Sequence, residues 1–467
     1  MNRSIFSIAF ICTLACLLSA CRSTESPSLE PYDIPQDWQI TVDTQTIWPA
    51  VDWWGAFETQ ELRDIIADVQ ATNTTLLNNE RNLRTAQILL TQAGFNLYPT
   101  AVLTTAGALS YQGVEVSEDD YFDSTNESYS LGGALVYADI LSKRDRQDAA
   151  LAQYDASVAR AADTALNTLT VAASTYFRVL LARDQIATAQ QNLENAIVIS
   201  DILQARFEAG LINEVDALQQ EIAVEQQRNS VRNFVQTELA ARASLAILLN
   251  RSVRDFKIRE ETLETIIVPR VMPGVPAELL VRRPDLVQAE ANLRSQRANV
   301  DLARIAFLPN ISLTASADAR SEDLRELVES PDIIVNGLAN IAFTILDNGA
   351  RSRSLELTRL ELDSQFSEYR TAVIRAFNEI DVALSNIELL KALAKVALDD
   401  RAKAEESFRI AEVRYREGVT EYQSVLNAQT ALYRARPRYL DNKLARLNAI
   451  IALYRSLGGG WVAPPTS

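Results

Sequence analysis

The sequence predicts a mainly α chain with a small membrane β part: long coiled-coil helices, four β-strands and an internal two-fold repeat. Three observations lead there. Glycine and proline are scarce, 14 each in 467 residues, and the stretches 143–209 and 350–417 contain neither. Each could run as one helix of about 100 Å at 1.5 Å per residue, far longer than ordinary globular helices. Landmarks also recur about 208 residues apart. Finally, the hydrophobic period drops to two in the segments that precede these long stretches.

Composition removes several functions at once. The chain has no His, so His-dependent catalytic triads and His-ligated metal sites are excluded. A net charge of −16 argues against a nucleic-acid partner. At the N terminus, Arg3 precedes an apolar run from Ile5 to Leu18, and Leu18-Ser19-Ala20-Cys21 follows. That run is too short for a lasting transmembrane helix and reads as a secretory signal. The ending is similar to a bacterial lipobox, which makes Cys21 the expected lipid attachment point. Cys12 and Cys16 would leave with the signal, so no internal disulfide is expected.

The repeat can be followed residue by residue. Ala205-Arg206-Phe207-Glu208-Ala209-Gly210-Leu211 lies over Val413-Arg414-Tyr415-Arg416-Glu417-Gly418-Val419; Asp139 falls on Asp347 and Leu249 on Leu457. Leu97-Tyr98-Pro99 matches Phe307-Leu308-Pro309 with the offset slipped by two. In the second long stretch Tyr369, Val373, Ala376, Ile380, Ala383, Ile387, Leu390 and Ala394 keep the alternating four-and-three spacing of a coiled-coil seam.

Upstream of each long helix two amphipathic strands are expected. Ala101 to Tyr111 and Tyr129 to Tyr137 alternate in the first half. In the second, Ile311, Leu313, Ala315, Ala317 and Ala319 interleave with Ser312, Thr314, Ser316, Asp318 and Arg320, and Ile333 to Ile345 alternates likewise. Strands of about ten residues suit a tilted membrane crossing with an apolar outer face and a polar lumen. The loops between them, 113–127 and 321–330, are acidic. Four strands cannot close a barrel, and an open edge in lipid leaves amides unpaired. An oligomer is therefore expected; two chains would supply eight strands and three would supply twelve.

The motifs together resemble the TolC-like outer-membrane factor family, in particular the lipoprotein channels of resistance-nodulation-division efflux systems. They are Asp52-Trp53-Trp54 with Phe57, Leu279-Leu280-Val281-Arg282-Arg283-Pro284-Asp285 followed by Ala289-Glu290, Phe307 to Leu313, Leu346-Asp347-Asn348-Gly349, Arg414-Tyr415-Arg416-Glu417-Gly418 and Leu453 to Trp461. The resemblance implies a homotrimer with a 12-stranded membrane β-barrel above a coiled-coil α-helical barrel in the periplasm. It implies a passive exit duct with no enzyme activity and no cofactor, embedded in outer-membrane lipid. Its implied partners are a periplasmic adaptor and an inner-membrane proton-driven efflux pump; the alternative is a type I protein secretion system. The implied organisation is a signal peptide (1–20), a lipidated extended segment (21–56), repeat 1 (57–250; strands near 100–112 and 128–139), a linker (251–276), repeat 2 (277–460; strands near 310–320 and 333–346) and a tail (461–467).

The resemblance also assigns sites. Gly210-Leu211 and Gly418-Val419-Thr420 correspond to the tip that receives the adaptor, with Asn213 and Thr420 expected to cap the returning helices. Tyr415 and Asp216 occupy positions used in gate links. Ser424 and Asn427 stand where relatives often carry Asp, with Glu421 nearby, so weaker cation selectivity than in an Asp-ringed relative is expected. Ser142 replaces a usual Gly at the first strand-to-helix junction, so that bend is expected to form without a residue that freely adopts positive φ, and Pro437 is expected to kink the last helix.

Overall fold

The computed structural model describes residues 38, 48–117, 120–259, 261–270 and 279–462, with side chains of 111–126 left aside. Cys21 and the signal segment lie outside the described residues. In chain order the elements are α1 (Gln60–Thr72), α2 (Thr74–Phe95), β1 (Thr100–Ser117), β2 (Asp120–Tyr137), α3 (Lys143–Glu208), α4 (Glu214–Leu248), α5 (Leu279–Arg282), α6 (Pro284–Ile305), β3 (Asn310–Ser321), α7 (Glu326–Glu329), β4 (Asp332–Ala342), α8 (Ala350–Arg416) and α9 (Tyr422–Ser456). The two breaker-free stretches form α3 and α8, of 66 and 67 residues. Their return helices α4 and α9 are 35 residues each. No described helix is long and apolar enough to cross a membrane.

The duplication is structural down to its helix ends. α3, α4, α8 and α9 all stop in the same way, with a positive φ at Gly210 (73°), Asn250 (53°), Gly418 (77°) and Gly458 (84°). At the first, Gly210 N–H donates to Phe207 and Leu211 N–H to Arg206, at 2.8 and 2.9 Å. Gly418 and Val419 repeat that pair on Tyr415 and Arg414. This paired bonding satisfies the last carbonyls of a helix and needs one left-handed residue. At the other pole, Lys143 donates to the Asn96 carbonyl, and its counterpart Arg351 reaches the Ala306 carbonyl at 3.4 Å. Each long helix thus begins with a cation seated on the negative end of the short helix before it.

The sheet is antiparallel in the order β1-β2-β3-β4. Register pairs Leu103 with Gly133, Gly133 with Ala317 and Ala317 with Val335, so the apolar set of all four strands shares one face. Leu103 and Val335 are 76% and 75% exposed there. The opposite face carries Thr104, Gly132, Asp318 and Ile334 in one row.

Four expectations need correction. The first hairpin does not open into a loop at 113–127: pairing continues through Gly113–Asp123 and Glu115–Tyr121, because a hydrogen-bonded ladder runs on regardless of side-chain charge. That hairpin therefore extends about eight residues past the length needed to cross lipid. β2 ends at Tyr137 and β4 at Ala342, short of 139 and 346. Thr420 does not cap α9: the N-cap is Glu421, without a side-chain cap bond, and the Thr420 hydroxyl donates to Ser424 Oγ instead (3.1 Å). Asn213 does cap α4, accepting from Asp216 N–H at 3.0 Å. Finally, the first junction does contain a positive-φ residue, Asp139 at 51°, followed by a short 3-10 turn over Ile140–Ser142. Asp tolerates this region better than most residues, which removes the need for Gly. Pro437 sits inside α9, which continues through it unbroken.

The main core lies midway along the long helices. Trp53, Phe57, Ile66, Tyr176, Phe177, Leu245, Leu263, Ile450 and Tyr454 are all buried there, joining the N-terminal helices, the linker and three of the four long helices. The coiled-coil seam of α8 is fully buried at Val373, Ala376, Ile380 and Ala383 and half-buried at its remaining positions.

Candidate functional site: a bore and its periplasmic tip

Two regions can act on a passing solute, the polar face of the sheet and the turns where the long helices end. On the sheet, Asp318 lies across Gly132, where a Cβ would meet its carboxylate at 2.0 Å. Ser316 Oγ donates to the same carboxylate at 3.2 Å. A small residue on β2 is what lets this carboxylate lie flat against the polar face.

At the tip, Gly210, Leu211, Gly418 and Val419 are exposed, and a Cβ on either glycine would meet open space. The glycines are there for their φ alone, and the turn surface is free to receive a partner. Behind it, Tyr415 is 2% exposed, and its hydroxyl has no hydrogen-bond partner among the described residues. Its ring is sandwiched: the Arg206 guanidinium sits 4.3 Å from the centroid, and the Tyr422 ring lies at 6.3 Å. Arg206 also donates to the Tyr415 and Arg416 carbonyls at 2.8 and 3.1 Å, tying the end of α3 to the end of α8.

The hydroxyl link in this layer belongs to Tyr422. It donates to Gln220 Oε1 at 2.9 Å, and the fully buried Gln220 passes its amide to the Ala196 carbonyl at 2.7 Å. α9, α4 and α3 are thereby joined in one chain of hydrogen bonds. Burial, then the Asp216 carboxylate, then Tyr415 push the Tyr422 phenol far above its ordinary range. Burial also raises Tyr415, with Arg206 pulling the other way. Both phenols stay neutral at any physiological pH, Tyr422 as the donor of this link. Sequence reasoning placed Tyr415 and Asp216 here but missed Arg206, Gln220 and Tyr422. Arg206 was visible in the repeat, opposite Arg414; Gln220 had no signal, since its counterpart is Ala428.

Ser424 and Asn427, the positions expected at an aperture, lie on the first turns of α9. Ser424 and Asn427 are exposed one turn apart on α9, with Ser424 held by Thr420 and Asn427 accepting from Gln423 at 3.1 Å. Neither bears charge, and the exposed Glu421 is the nearby carboxylate.

A four-stranded sheet with an apolar outer face, continued by helical hairpins about 100 Å long, defines an outer-membrane channel subunit with a periplasmic tunnel. The outer membrane efflux protein profile matches residues 65–251 and 275–459, and the chain belongs to that family. The two matched segments reproduce the internal duplication. The chain is 28% identical to the pyoverdine export outer membrane protein OpmQ of Pseudomonas putida, covering 97% of this chain and 98% of that one. It is 26% identical to outer membrane protein OprJ of Pseudomonas aeruginosa, over 99% and 97% of the two chains. A crystal structure of a membrane protein from Pseudomonas aeruginosa superposes with a TM-score of 0.83 at 25% identity, covering 92% and 99%. The protein is thus an outer-membrane efflux component, and its family is one of ducts, not of enzymes.

Proposed function

We propose that three copies close head to tail into the exit duct of a tripartite efflux system. A periplasmic adaptor docks at Gly210-Leu211 and Gly418-Val419-Thr420, and an inner-membrane proton-driven pump supplies small-molecule cargo. One observation carries the ring: each protomer has two complementary open edges. In the sheet these are β1 and β4. In the helical layer α3 packs on α4 and α9, and α9 on α8, leaving α4 and α8 outermost. Both outer helices keep apolar side chains in the open: Val235 and Leu239 on α4, and Val382, Leu389, Leu393 and Val396 on α8. Counted from the tip, Val235 and Val396 both stand about 30 Å up. Nearer the tip, Val215, Leu218 and Ile222 face the level of Ile410 and Val413. An α8-to-α4 seam repeated around an axis would cover apolar side chains on both helices, and a heterologous contact of this kind gives a ring when its rotation closes. Cysteines at Val235 and Val396, bridged by a flexible bis-maleimide in outer-membrane fractions, should give a denatured ladder that ends at three chains. A ladder ending at two, or monomers alone, refutes the trimer.

The lipid anchor fits the same arrangement. Trp38 packs against Phe377, with ring centroids 6.2 Å apart. Phe377 is 27 residues below the membrane end of α8, about 40 Å. The 17 residues from Cys21 to Trp38 reach about 58 Å when extended. An acylated Cys21 can therefore reach the membrane that holds the strands.

For the gate, the Arg206 tie and the Tyr422–Gln220 link hold the helix ends together, and opening requires their release. Replacing Arg206 with Met removes two carbonyl contacts and the stacking cation at once. Single-channel recordings in planar bilayers should show longer open dwell times than wild type. Wild-type gating in the variant would remove Arg206 from the gate. In the same recordings the uncharged Ser424 and Asn427 should give weak cation preference, which Asn427→Asp strengthens.

A further inference from the structure

Halfway along the tunnel wall, a cleft of about 520 Å³ opens between the linker and the α8–α9 pair. It is far from both ends of the hairpin: Glu388 and Lys391 lie about 60 Å from the membrane end of α8 and about 40 Å from the tip. Its walls are Val268, Pro269, Ile387 and Ile450, with Ile450 only 3% exposed. Around them stand Arg270, Lys391 and Arg446, against the single carboxylate of Glu388. Lys391 already pairs with Glu388 at 3.4 Å. Arg446 is half-buried and makes no ion pair among the described residues, and neither does Arg270.

This is an unusual excess of positive charge in a chain of net charge −16. One helical turn away, burial and the Arg446 charge push the Lys443 ammonium below its ordinary range, and Glu264 only partly offsets them. Two neighbouring cations in a partly desolvated setting repel one another unless an anion joins them. Nothing in the fold needs that repulsion. Among the described residues Arg446 makes no hydrogen bond that would account for it structurally, whereas Arg401 nearby is paired with both Glu264 and Glu405.

We propose that this cleft binds a small amphiphilic carboxylate, its apolar body between Val268, Pro269, Ile387 and Ile450 and its charged head on Arg446 and Arg270. The volume falls within the ordinary range for small organic ligands, and apolar walls flanked by three cations suit an amphiphilic anion. The outer-membrane lipid surface is out of reach at this depth, so the ligand is a periplasmic solute. An occupied cleft would pin the linker against both helices of the second hairpin.

The test is calorimetric titration of the full-length oligomer with 4-phenylbutanoate, its neutral amide and the corresponding amine. The carboxylate should bind saturably, one per chain, and at least tenfold more tightly than either analogue. Arg446→Gln should weaken it at least tenfold while the cross-linked trimer and its conductance persist. Arg446→Lys should keep most of the affinity, and Glu388→Gln, which removes the carboxylate of the cleft lining, should raise it. Equal binding of the three probes overturns the proposal. So does the absence of saturable binding, as when a neighbouring copy fills the cleft, and so does a Glu388→Gln variant with unchanged affinity.

Discussion

Replacing Gly458 with Ala should destabilise the protein by at least about 3 kcal/mol. Two costs coincide at this position. Its φ of 84° is one that L residues rarely adopt, worth about 1–2 kcal/mol alone. A Cβ there would also stand 2.2 Å from the Arg282 carbonyl oxygen and 3.0 Å from its carbon. Those are backbone atoms at the end of α5, just before Arg283 and Pro284 lead into α6, and they cannot swing aside as a side chain could. The matched control is Gly210→Ala. Its φ is 73°, but a Cβ would meet nothing within 4 Å, so only the conformational cost of about 1–2 kcal/mol applies. Urea denaturation of both variants in detergent measures the difference. Equal losses would mean that the carbonyl contact is relieved by movement of α5.

That contact also explains what the sequence could and could not disclose. Helix lengths, the duplication and the strand faces were legible because they rest on local rules: breaker-free runs, a fixed offset and alternation of period two. The motifs Arg282-Arg283-Pro284-Asp285 and Gly458-Gly459-Gly460 were legible as landmarks, but not their reason. They are 173 or more residues apart, and only the fold shows each pressed against the other. The repeat makes this plain. Asn250 holds the helix-end position that Gly458 holds in the second half, at φ 53°, so glycine is not needed for the helix stop itself. It is needed because another part of the backbone passes close by.

Sequence reasoning erred where charge or residue type was taken as a proxy for backbone state. The acidic run after Gly113 was read as a loop, although strand pairing carries on through it. Thr420 was read as a cap because of its type, whereas one more residue of turn hands that place to Glu421. At the tip, Tyr415 and Asp216 were legible through family likeness. The Tyr422–Gln220–Ala196 relay was not, because it depends on the rotation of α4 against α9, and spacing does not encode that rotation.

Replacing Arg283 with Met should cost about 3–5 kcal/mol, and the cost should shrink in acid. Arg283 is 5% exposed and is held on all sides. It donates to Asp285 through Nε and a terminal nitrogen at 3.0 and 2.7 Å, to Glu379 at 3.0 Å and to the Ser456 carbonyl at 3.0 Å. Burial works against the charge, yet the Asp285 hydrogen bond and the charges of Asp285 and Glu379 hold the guanidinium above its ordinary range. One side chain thus joins α6, α8 and the last turn of α9 at the foot of the Gly458 turn. Met fills a similar volume but leaves the two carboxylates facing each other with the half-exposed Arg455, 3.8 Å from Glu379, as the remaining cation, and leaves the Ser456 carbonyl without this donor. In that variant the mutual repulsion of the two carboxylates adds to the loss wherever both are charged. The deficit is then full at neutral pH and falls in acid, because protonation removes the repulsion. Lys restores the charge but not the planar fork that meets Asp285 twice, so Arg283→Lys should recover only part of the loss. Denaturation midpoints of the three proteins at pH 7 and pH 5 provide the check. A Met variant whose deficit is the same at both values would mean that the loss comes from packing, with the stranded carboxylates already hydrated.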